Sequence, residues 1–188
     1  MQLIKTEIYK LDCFTFKDVH INVPSAVVEG HKAVLTCTFD LETDQLYSVK
    51  WYRGAGEFYR YTPSDEKPIK QFKIKGFHVV ESESNETQVV LEQVSRAISG
   101  PFSCEVTADQ PSFFTDMKTA DLEVVSLPKK DPYITGLRTR YKLGDVLRTN
   151  CTSEKSSPAA NLAWYVNGQH VEAPHVHRHV YEDGDYVT

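Results

Sequence analysis

The four cysteines, Cys13, Cys37, Cys104 and Cys151, have the most definite chemistry in the chain, because paired thiols can form a disulfide. Cys104 follows Cys37 by 67 positions, and Trp51 follows Cys37 by 14. This spacing is typical of two facing β-sheets that are bridged across a common core, with the indole ring packed on the bridge. We therefore predict a Cys37–Cys104 disulfide beside a buried Trp51. Closing such a loop stabilises a fold by about 4 kcal/mol, and the bond requires an oxidising compartment.

Three histidines, His175, His177 and His179, would share one face of an extended strand, which is a spacing that can bind Zn²⁺. No carboxylate is fixed beside them as a hydrogen-bonding partner, so we predict neither a metal site nor a cofactor. The chain also lacks a nucleophile elbow, a phosphate loop, an HExxH motif and a cysteine pair at zinc spacing. We predict that the protein is not an enzyme, and a His-dependent metal protein is the less favoured alternative.

Short segments of alternating or β-branched residues recur between turn residues every eight to twelve positions, which predicts an all-β fold. The first segment is interrupted at Pro24, as an edge strand tolerates. The predicted strands cover residues 19–28, 33–39, 46–53, 57–62, 74–80, 87–91, 100–108 and 115–126.

The distance between Cys37 and Cys104 leaves room for two additional strands, which is typical of a variable-type immunoglobulin β-sandwich. We predict such a domain over residues 18–127. Phe102 stands two positions before Cys104, where these domains usually have a tyrosine whose hydroxyl bonds to the backbone. Phe102 lacks this hydroxyl, and we expect the loss of its hydrogen bond to lower the stability of the domain modestly.

The same pattern restarts after a polar stretch that is bracketed by prolines, the predicted linker at residues 128–133. Trp164 follows Cys151 by 13 positions, so we predict Trp164 as a core residue of a second immunoglobulin-like domain over residues 134–188. Only 37 residues follow Cys151, and none is a cysteine. We therefore expect this domain to be incomplete and Cys151 to lack a partner within it; a bridge to Cys13 is not expected.

Residues 1–17 contain three lysines, a glutamate and an aspartate, so they have no charge-free apolar stretch like the core of a signal peptide. We expect this segment to be poorly ordered. Either the mature protein begins near Lys17 and a signal peptide is missing, or the chain boundary is unusual. The cysteines nevertheless predict an extracellular protein, either secreted or tethered to a membrane by a region absent from this chain.

The formal net charge of −5 provides no global basic field for nucleic acid, and no apolar run approaches the roughly 20 residues of a membrane span. Two sequons support an extracellular location. They predict N-glycosylation at Asn85, in a polar turn, and at Asn150, whose side chain points away from that of Cys151 on its strand.

Several stretches between residues 18 and 170 resemble the Beaten path (Beat) family of insect neuronal immunoglobulin-superfamily proteins. The most specific are QLYSVKWY within residues 40–53 and EFYRYTP at residues 57–63. Further matching stretches are VPSAV at residues 23–27, SCEVTADQPSF at 103–113, ADLEVVSLP at 120–128, residues 141–153, and ANLAWYVNGQ at 160–169. The family's second-domain ending and C-terminal cysteine have no counterpart here, and residues 1–17 do not match.

The resemblance implies an extracellular cell-recognition protein that binds Sidestep-like cell-surface immunoglobulin proteins through its first domain, in axon guidance or synaptic partner choice. The alternative is a soluble immunoglobulin-type decoy or immune-recognition protein with another ligand. Either function requires a face that binds a protein. We expect no direct insertion of this chain into a membrane.

Strand alternation suggests where that face lies. If Val49 and Trp51 point into the core, Lys50 and Tyr52 point outward. Strand 57–62 must expose one alternate set, either Phe58 and Arg60 or Tyr59 and Tyr61. Arg53 is left out of the binding set, because it could be a structural residue beneath the turn before Phe102. The predicted partner-binding residues on this CC′FG face are Lys50, Tyr52, Phe58, Tyr59, Arg60, Tyr61, Glu105, Thr107, Phe113 and Phe114.

Overall fold

A computed structural model describes residues 18–172 and 175–188. The first ten strands are β1 Asp18–Asn22, β2 Ala26–Val28, β3 Ala33–Asp40, β4 Leu46–Arg53, β5 Gly56–Tyr61, β6 Ile69–Gln71, β7 His78–Val79, β8 Gln88–Glu92, β9 Gly100–Ala108 and β10 Thr115–Val125. Two short 3-10 helices, Glu81–Glu83 and Arg96–Ile98, flank β8. Within the described ranges, no helix has the length and apolar character needed to cross a membrane.

These strands form two sheets with the orders β1-β3-β8-β7 and β2-β10-β9-β4-β5-β6. The predicted interruption at Pro24 is confirmed, and it divides the N-terminal strand between the sheets. β1 pairs antiparallel with β3 in the four-stranded sheet, whereas β2 pairs parallel with β10 in the six-stranded sheet. This sheet exchange is what closes the variable-type sandwich predicted from the sequence.

The core lies between the two sheets around the Cys37–Cys104 disulfide, which is formed as predicted. Trp51 on β4 stands directly opposite Cys104 on β9 and is completely buried. Leu35 on β3 and Val106 on β9 are also fully buried in the same cluster. Apolar residues alternate with exposed ones along β3, so one face of each strand supplies this core.

Arg53 occupies the structural position that its sequence context suggested. Its Nε donates a hydrogen bond to the Ile98 carbonyl at 2.6 Å, and its Nη2 donates to the Ser99 carbonyl. The guanidinium also lies 5.5 Å from the centroid of the buried Phe102 ring. Arg53 therefore bonds the backbone upstream of Phe102, as the missing tyrosine hydroxyl does in other immunoglobulin domains. Gly100, at φ +120°, gives the guanidinium room.

The strand predicted over residues 74–80 is wrong for most of its length, because only β7 forms there. Gly76 has φ +107° and turns the chain, and a Cβ at this position would lie 2.6 Å from Ile98 Cγ2. The edge strand of the six-stranded sheet is instead β6, which the sequence did not suggest. It is only three residues long and has a single neighbour, β5.

The described residues beyond 127 form only small ladders. Three two-stranded sheets contain β11 Tyr133–Thr135 with β12 Asn150–Thr152, β13 Trp164–Val166 with β14 Gln169–Val171, and β15 His179–Val180 with β16 Tyr186–Val187. Trp164 lies in a sheet of only two strands and is half-buried, so its prediction as a core residue is wrong. Cys151 is half-buried and unpaired among the described residues, while Cys13 and the segment 1–17 lie outside them.

Candidate recognition surface

The outward side of the six-stranded sheet carries one row of side chains that crosses five strands in register. Met117 on β10 is opposite Glu105 on β9, and Glu105 is opposite Lys50 on β4. Lys50 is in turn opposite Arg60 on β5, which faces Lys70 on β6. We refer to these five residues as the central row. The row agrees with the predicted outward direction of Lys50 and Glu105, and it places Arg60 outward, as one of the two alternatives for β5 has it.

A partly buried charge pair occupies the middle of the row. Lys50 Nζ donates to Glu105 Oε1 at 2.7 Å, and the exposed fractions of the two side chains are only 24% and 16%. The Tyr52 hydroxyl makes a longer contact, 3.4 Å, to Glu105 Oε2. The hydrogen bond to Glu105 raises the pKa of Lys50, and burial raises the pKa of Tyr52. Both groups therefore stay protonated at neutral pH and remain hydrogen-bond donors.

The other two cations of the row are also paired within the chain. Arg60 donates from Nε and Nη2 to the two carboxylate oxygens of Glu57, at 2.7 and 2.8 Å. Lys70 Nζ lies 2.6 Å from Asp65 Oδ2. The row thus presents charges that are fixed in place and largely compensated, rather than a net positive field.

Phe58 and Tyr59 belong to the two alternative exposed sets predicted for this strand, and the structure corrects both as partner-binding candidates. Tyr59 opposes Trp51 while Glu57 opposes Tyr52, so Phe58 is the extra residue of a β-bulge in β5. The bulge turns two consecutive side chains inward, and both are fully buried. Strict alternation, on which the prediction depended, fails at this point.

The two buried rings have separate contacts in the interior. Phe58 packs edge-on against Phe77, with 5.0 Å between centroids. The Tyr59 hydroxyl donates to the Asn85 carbonyl at 3.0 Å, and burial raises its pKa. Tyr61 is half-buried and packs against the core, so Arg60 alone of the predicted β5 residues projects outward.

The β9–β10 loop divides its two phenylalanines between core and solvent. Phe114 packs against the core, whereas Phe113 is 62% exposed and has φ +49°. The loop is tied to the β3–β4 loop, because the Asp109 amide donates to the Gln45 carbonyl at 2.8 Å. Ser112 Oγ donates to Asp44 Oδ2 across the same two loops. A bulky residue at positive φ costs about 1–3 kcal/mol, so the loop holds the Phe113 ring outward at an energetic cost.

The sequence-based prediction of this face missed three exposed apolar residues that lie on or beside it. Tyr47 is 51% exposed at a register shift in β4, Met117 is 48% exposed on β10, and Phe72 follows the unpredicted β6. Alternation counted back from the buried Leu122 would have placed Met117 outward. We define the recognition face as Tyr47, Lys50, Tyr52, Arg60, Glu105, Thr107, Phe113 and Met117.

The remaining predicted residues lie away from this face. Asn85 is exposed three residues before β8 begins, and its Oδ1 accepts hydrogen bonds from the Thr87 amide at 2.9 Å and the Thr87 hydroxyl at 3.1 Å. Asn150 is exposed at the start of β12. Of the three histidines at 175–179, only His179 lies in a strand. The described part of the chain contains no group of three metal-ligating side chains.

Comparison with known proteins identifies the fold family. The model of the immunoglobulin V-set domain matches residues 22–125. Cell adhesion molecule 2 of Rattus norvegicus is 28% identical over 148 residues, which cover 78% of this chain and 31% of that protein. Cell adhesion molecule 3 of Xenopus laevis is 26% identical over 164 residues, or 86% of this chain and 38% of that protein. The chain thus spans about a third of the length of these relatives.

A solved structure, that of murine CEACAM1b, has the same fold. It superposes with a TM-score of 0.59 at 17% sequence identity, covering 90% of this chain and 83% of that one. The V-set match, for its part, extends from the end of β1 to the end of β10 and includes the disulfide, Trp51 and the whole recognition face. Because this match covers more than half of the 188 residues, the chain belongs to the immunoglobulin V-set family.

Proposed function

We propose that this chain is the recognition part of an extracellular adhesion protein that binds another immunoglobulin-superfamily protein on an opposing cell. The observation that supports this most directly is the recognition face itself. Exposed Phe113, Tyr47 and Met117 accompany a row of charges that are already compensated. Aromatic residues, Met and Arg are the residue types enriched in protein interfaces.

The compensated charges lower the cost of covering this face. Burying an unpaired charge costs several kcal/mol, whereas Lys50 and Arg60 would enter an interface with their carboxylates already bound. The affinity then comes mainly from apolar side chains. Burying one phenylalanine ring contributes about 1.5–3 kcal/mol, which makes Phe113 the expected centre of the interface.

The finer identity of the partner follows from the resemblance to the Beat family. The two most specific stretches lie on β4 and β5, the strands that bear Lys50, Tyr52 and Arg60. We propose a Sidestep-like cell-surface partner and a role in axon guidance or synaptic partner choice. The related Cell adhesion molecules support the broader adhesive function through their sequence similarity.

The same proposal assigns roles to the parts of the chain. Residues 18–127 are the binding unit, 128–133 the linker, and 134–188 a second immunoglobulin-like domain that acts as a spacer. Glycans at Asn85 and Asn150 would leave the recognition face open, since Asn85 borders the opposite sheet. The disulfide supports placement outside the cytoplasm. No catalytic step is assigned to any residue.

A multivalent binding screen tests this function. The whole chain, displayed as an oligomer, is presented to a panel of cell-surface ectodomains that includes Sidestep-like proteins. Multivalency is needed because contacts with micromolar affinity are otherwise lost in washing. We expect a Sidestep-like protein to bind and Phe113→Ala to weaken binding by about 10- to 100-fold.

The matched control is Val34→Ala, which removes an exposed apolar side chain from β3 on the other sheet. It should leave binding unchanged. Binding that depends on Val34 instead of Phe113 would contradict the assignment of the face. A reproducible partner outside the Sidestep-like proteins would favour the decoy or immune-recognition alternative.

A further inference from the structure

A basic segment runs along the edge of the six-stranded sheet, although the whole chain is acidic with a formal net charge of −5. Lys67, Lys70, Lys73 and Lys75 are all exposed, and no acidic residue occurs between Lys67 and Val80. We refer to the four lysines as the basic edge. They occupy nine consecutive positions, which span up to about 26 Å of extended backbone.

The segment is held in place by the apolar residues between its lysines. Ile74 packs against the core, and its Cδ1 would lie 3.2 Å from a Cβ placed on Gly56. Phe77 is buried against Phe58. The Gly76 carbonyl accepts a hydrogen bond from the Ser95 amide at 2.8 Å. Because these contacts fix the inward side of the segment, the lysines on either side of Ile74 are presented to solvent.

Most of these charges are available to a ligand. Lys67, Lys73 and Lys75 form no ion pair with another described residue. Lys70 is paired with Asp65, but the two side chains are 51% and 34% exposed, so solvent weakens the pair and an anionic ligand can replace the carboxylate. Glu81, the nearest acidic residue after the segment, accepts a hydrogen bond from Gln71.

We propose that the basic edge binds a sulfated glycosaminoglycan, a linear anionic polysaccharide of the cell surface. Lysines in a line along one edge match a linear chain of negative charges, and clusters of this kind are a recognised heparin-binding pattern. A site of this type sits beside the recognition face, so a glycan and a protein partner would be bound by different residues. The preference for a glycan over a nucleic acid rests on the extracellular placement proposed above.

The test measures the affinity of the whole chain for heparin in physiological salt. The double variant Lys73→Gln and Lys75→Gln should weaken heparin binding by about 25-fold, because each lysine near a polyanion contributes about a factor of five. The matched control, Lys129→Gln with Lys142→Gln, removes the same net charge from exposed positions elsewhere. It should change the affinity by less than about twofold. An unchanged thermal midpoint verifies that both variants are folded.

Two further probes separate the possible anionic ligands. Hyaluronan, which lacks sulfate, should not bind, and neither should vesicles rich in phosphatidylserine. An equal loss of heparin binding in the two double variants would overturn the proposal, since only net charge would then matter. Vesicle binding with the same dependence on Lys73 and Lys75 would replace the glycan with a membrane surface.

Heparin binding and binding of the protein partner can be tested separately, because they depend on different residues. Lys73 and Lys75 lie outside the recognition face, so their double variant should bind the protein partner normally. Conversely, Phe113→Ala should bind heparin with unchanged affinity. Failure of the ectodomain screen with intact heparin binding would reject the proposed protein partner alone.

Discussion

Residues 18–127 and 128–188 contain the same Cys…Trp spacing, but they place it in very different surroundings. In the first region Cys37 is disulfide-bonded and Trp51 is fully buried, whereas in the second Cys151 is unpaired among the described residues and Trp164 is half-buried. Every buried hydrophobic residue in the described ranges lies between Val19 and Val124. The comparison teaches that the motif specifies local strands, while burial requires a second sheet to face them.

The largest effect should come from removing the disulfide of the first region. Cys37→Ala with Cys104→Ala opens a 67-residue separation and should lower the free energy of unfolding by about 4 kcal/mol. Cys151→Ser should change it by less than about 0.5 kcal/mol, because the thiol has no disulfide partner among the described residues. Unfolding in guanidinium chloride, followed by circular dichroism, measures both changes in the free energy of unfolding.

A reductant provides the control for this difference. It should lower the unfolding midpoint of the native chain and leave that of the double variant unchanged. If Cys151→Ser destabilised the chain as strongly as the double variant, the second region would contribute to a common core, and the contrast between the regions would be lost.

Much of the first region could be predicted because its strands obey simple rules. β4 and β9 begin and end at the predicted residues, since a glycine lies at or next to a boundary of each strand. Arg53 could also be anticipated, as an inward residue opposite Phe102. The strand bounds depend on local sequence, and Arg53 on the expected position of the missing tyrosine, so one sequence is sufficient to find them.

What could not be predicted depends on pairing between strands. The bulge at Phe58 is defined by how β5 aligns with β4. β6 is a strand because its backbone pairs with the edge of β5. The predicted outward direction therefore holds at Lys50 and Glu105, whereas Phe58 and Tyr59, one from each alternative for β5, are both buried. Whether these side chains contact a partner remains a prediction.

A second experiment compares the two tryptophans directly. Trp51→Phe should destabilise the chain by about 2 kcal/mol, because it leaves a cavity beside the disulfide that the close-packed sheets cannot fill. Trp164→Phe should cost less than about 0.5 kcal/mol, since solvent already reaches the ring. The thermal midpoint of each variant, measured by far-UV circular dichroism, distinguishes the two costs; equal shifts would contradict the difference in burial.

The smallest effect concerns the contact between the two regions. Arg96, in the turn before β9, donates from Nη1 to Asp185 Oδ1 at 2.5 Å and from Nη2 to the Asp183 carbonyl at 3.2 Å. Its Nε lies 3.5 Å from Glu29 Oε2, so one guanidinium joins both regions.

A double-mutant cycle of Arg96→Ala and Asp185→Ala should give a coupling free energy of about 0.5–1 kcal/mol, reduced by high salt, because the pair is only partly buried. The same cycle with Glu29→Ala in place of Asp185→Ala should give a smaller coupling, since that contact is longer. A coupling of zero would mean that the Arg96–Asp185 contact does not stabilise the junction, which would then depend on other contacts such as the backbone bridge between Ser126 and Ser157.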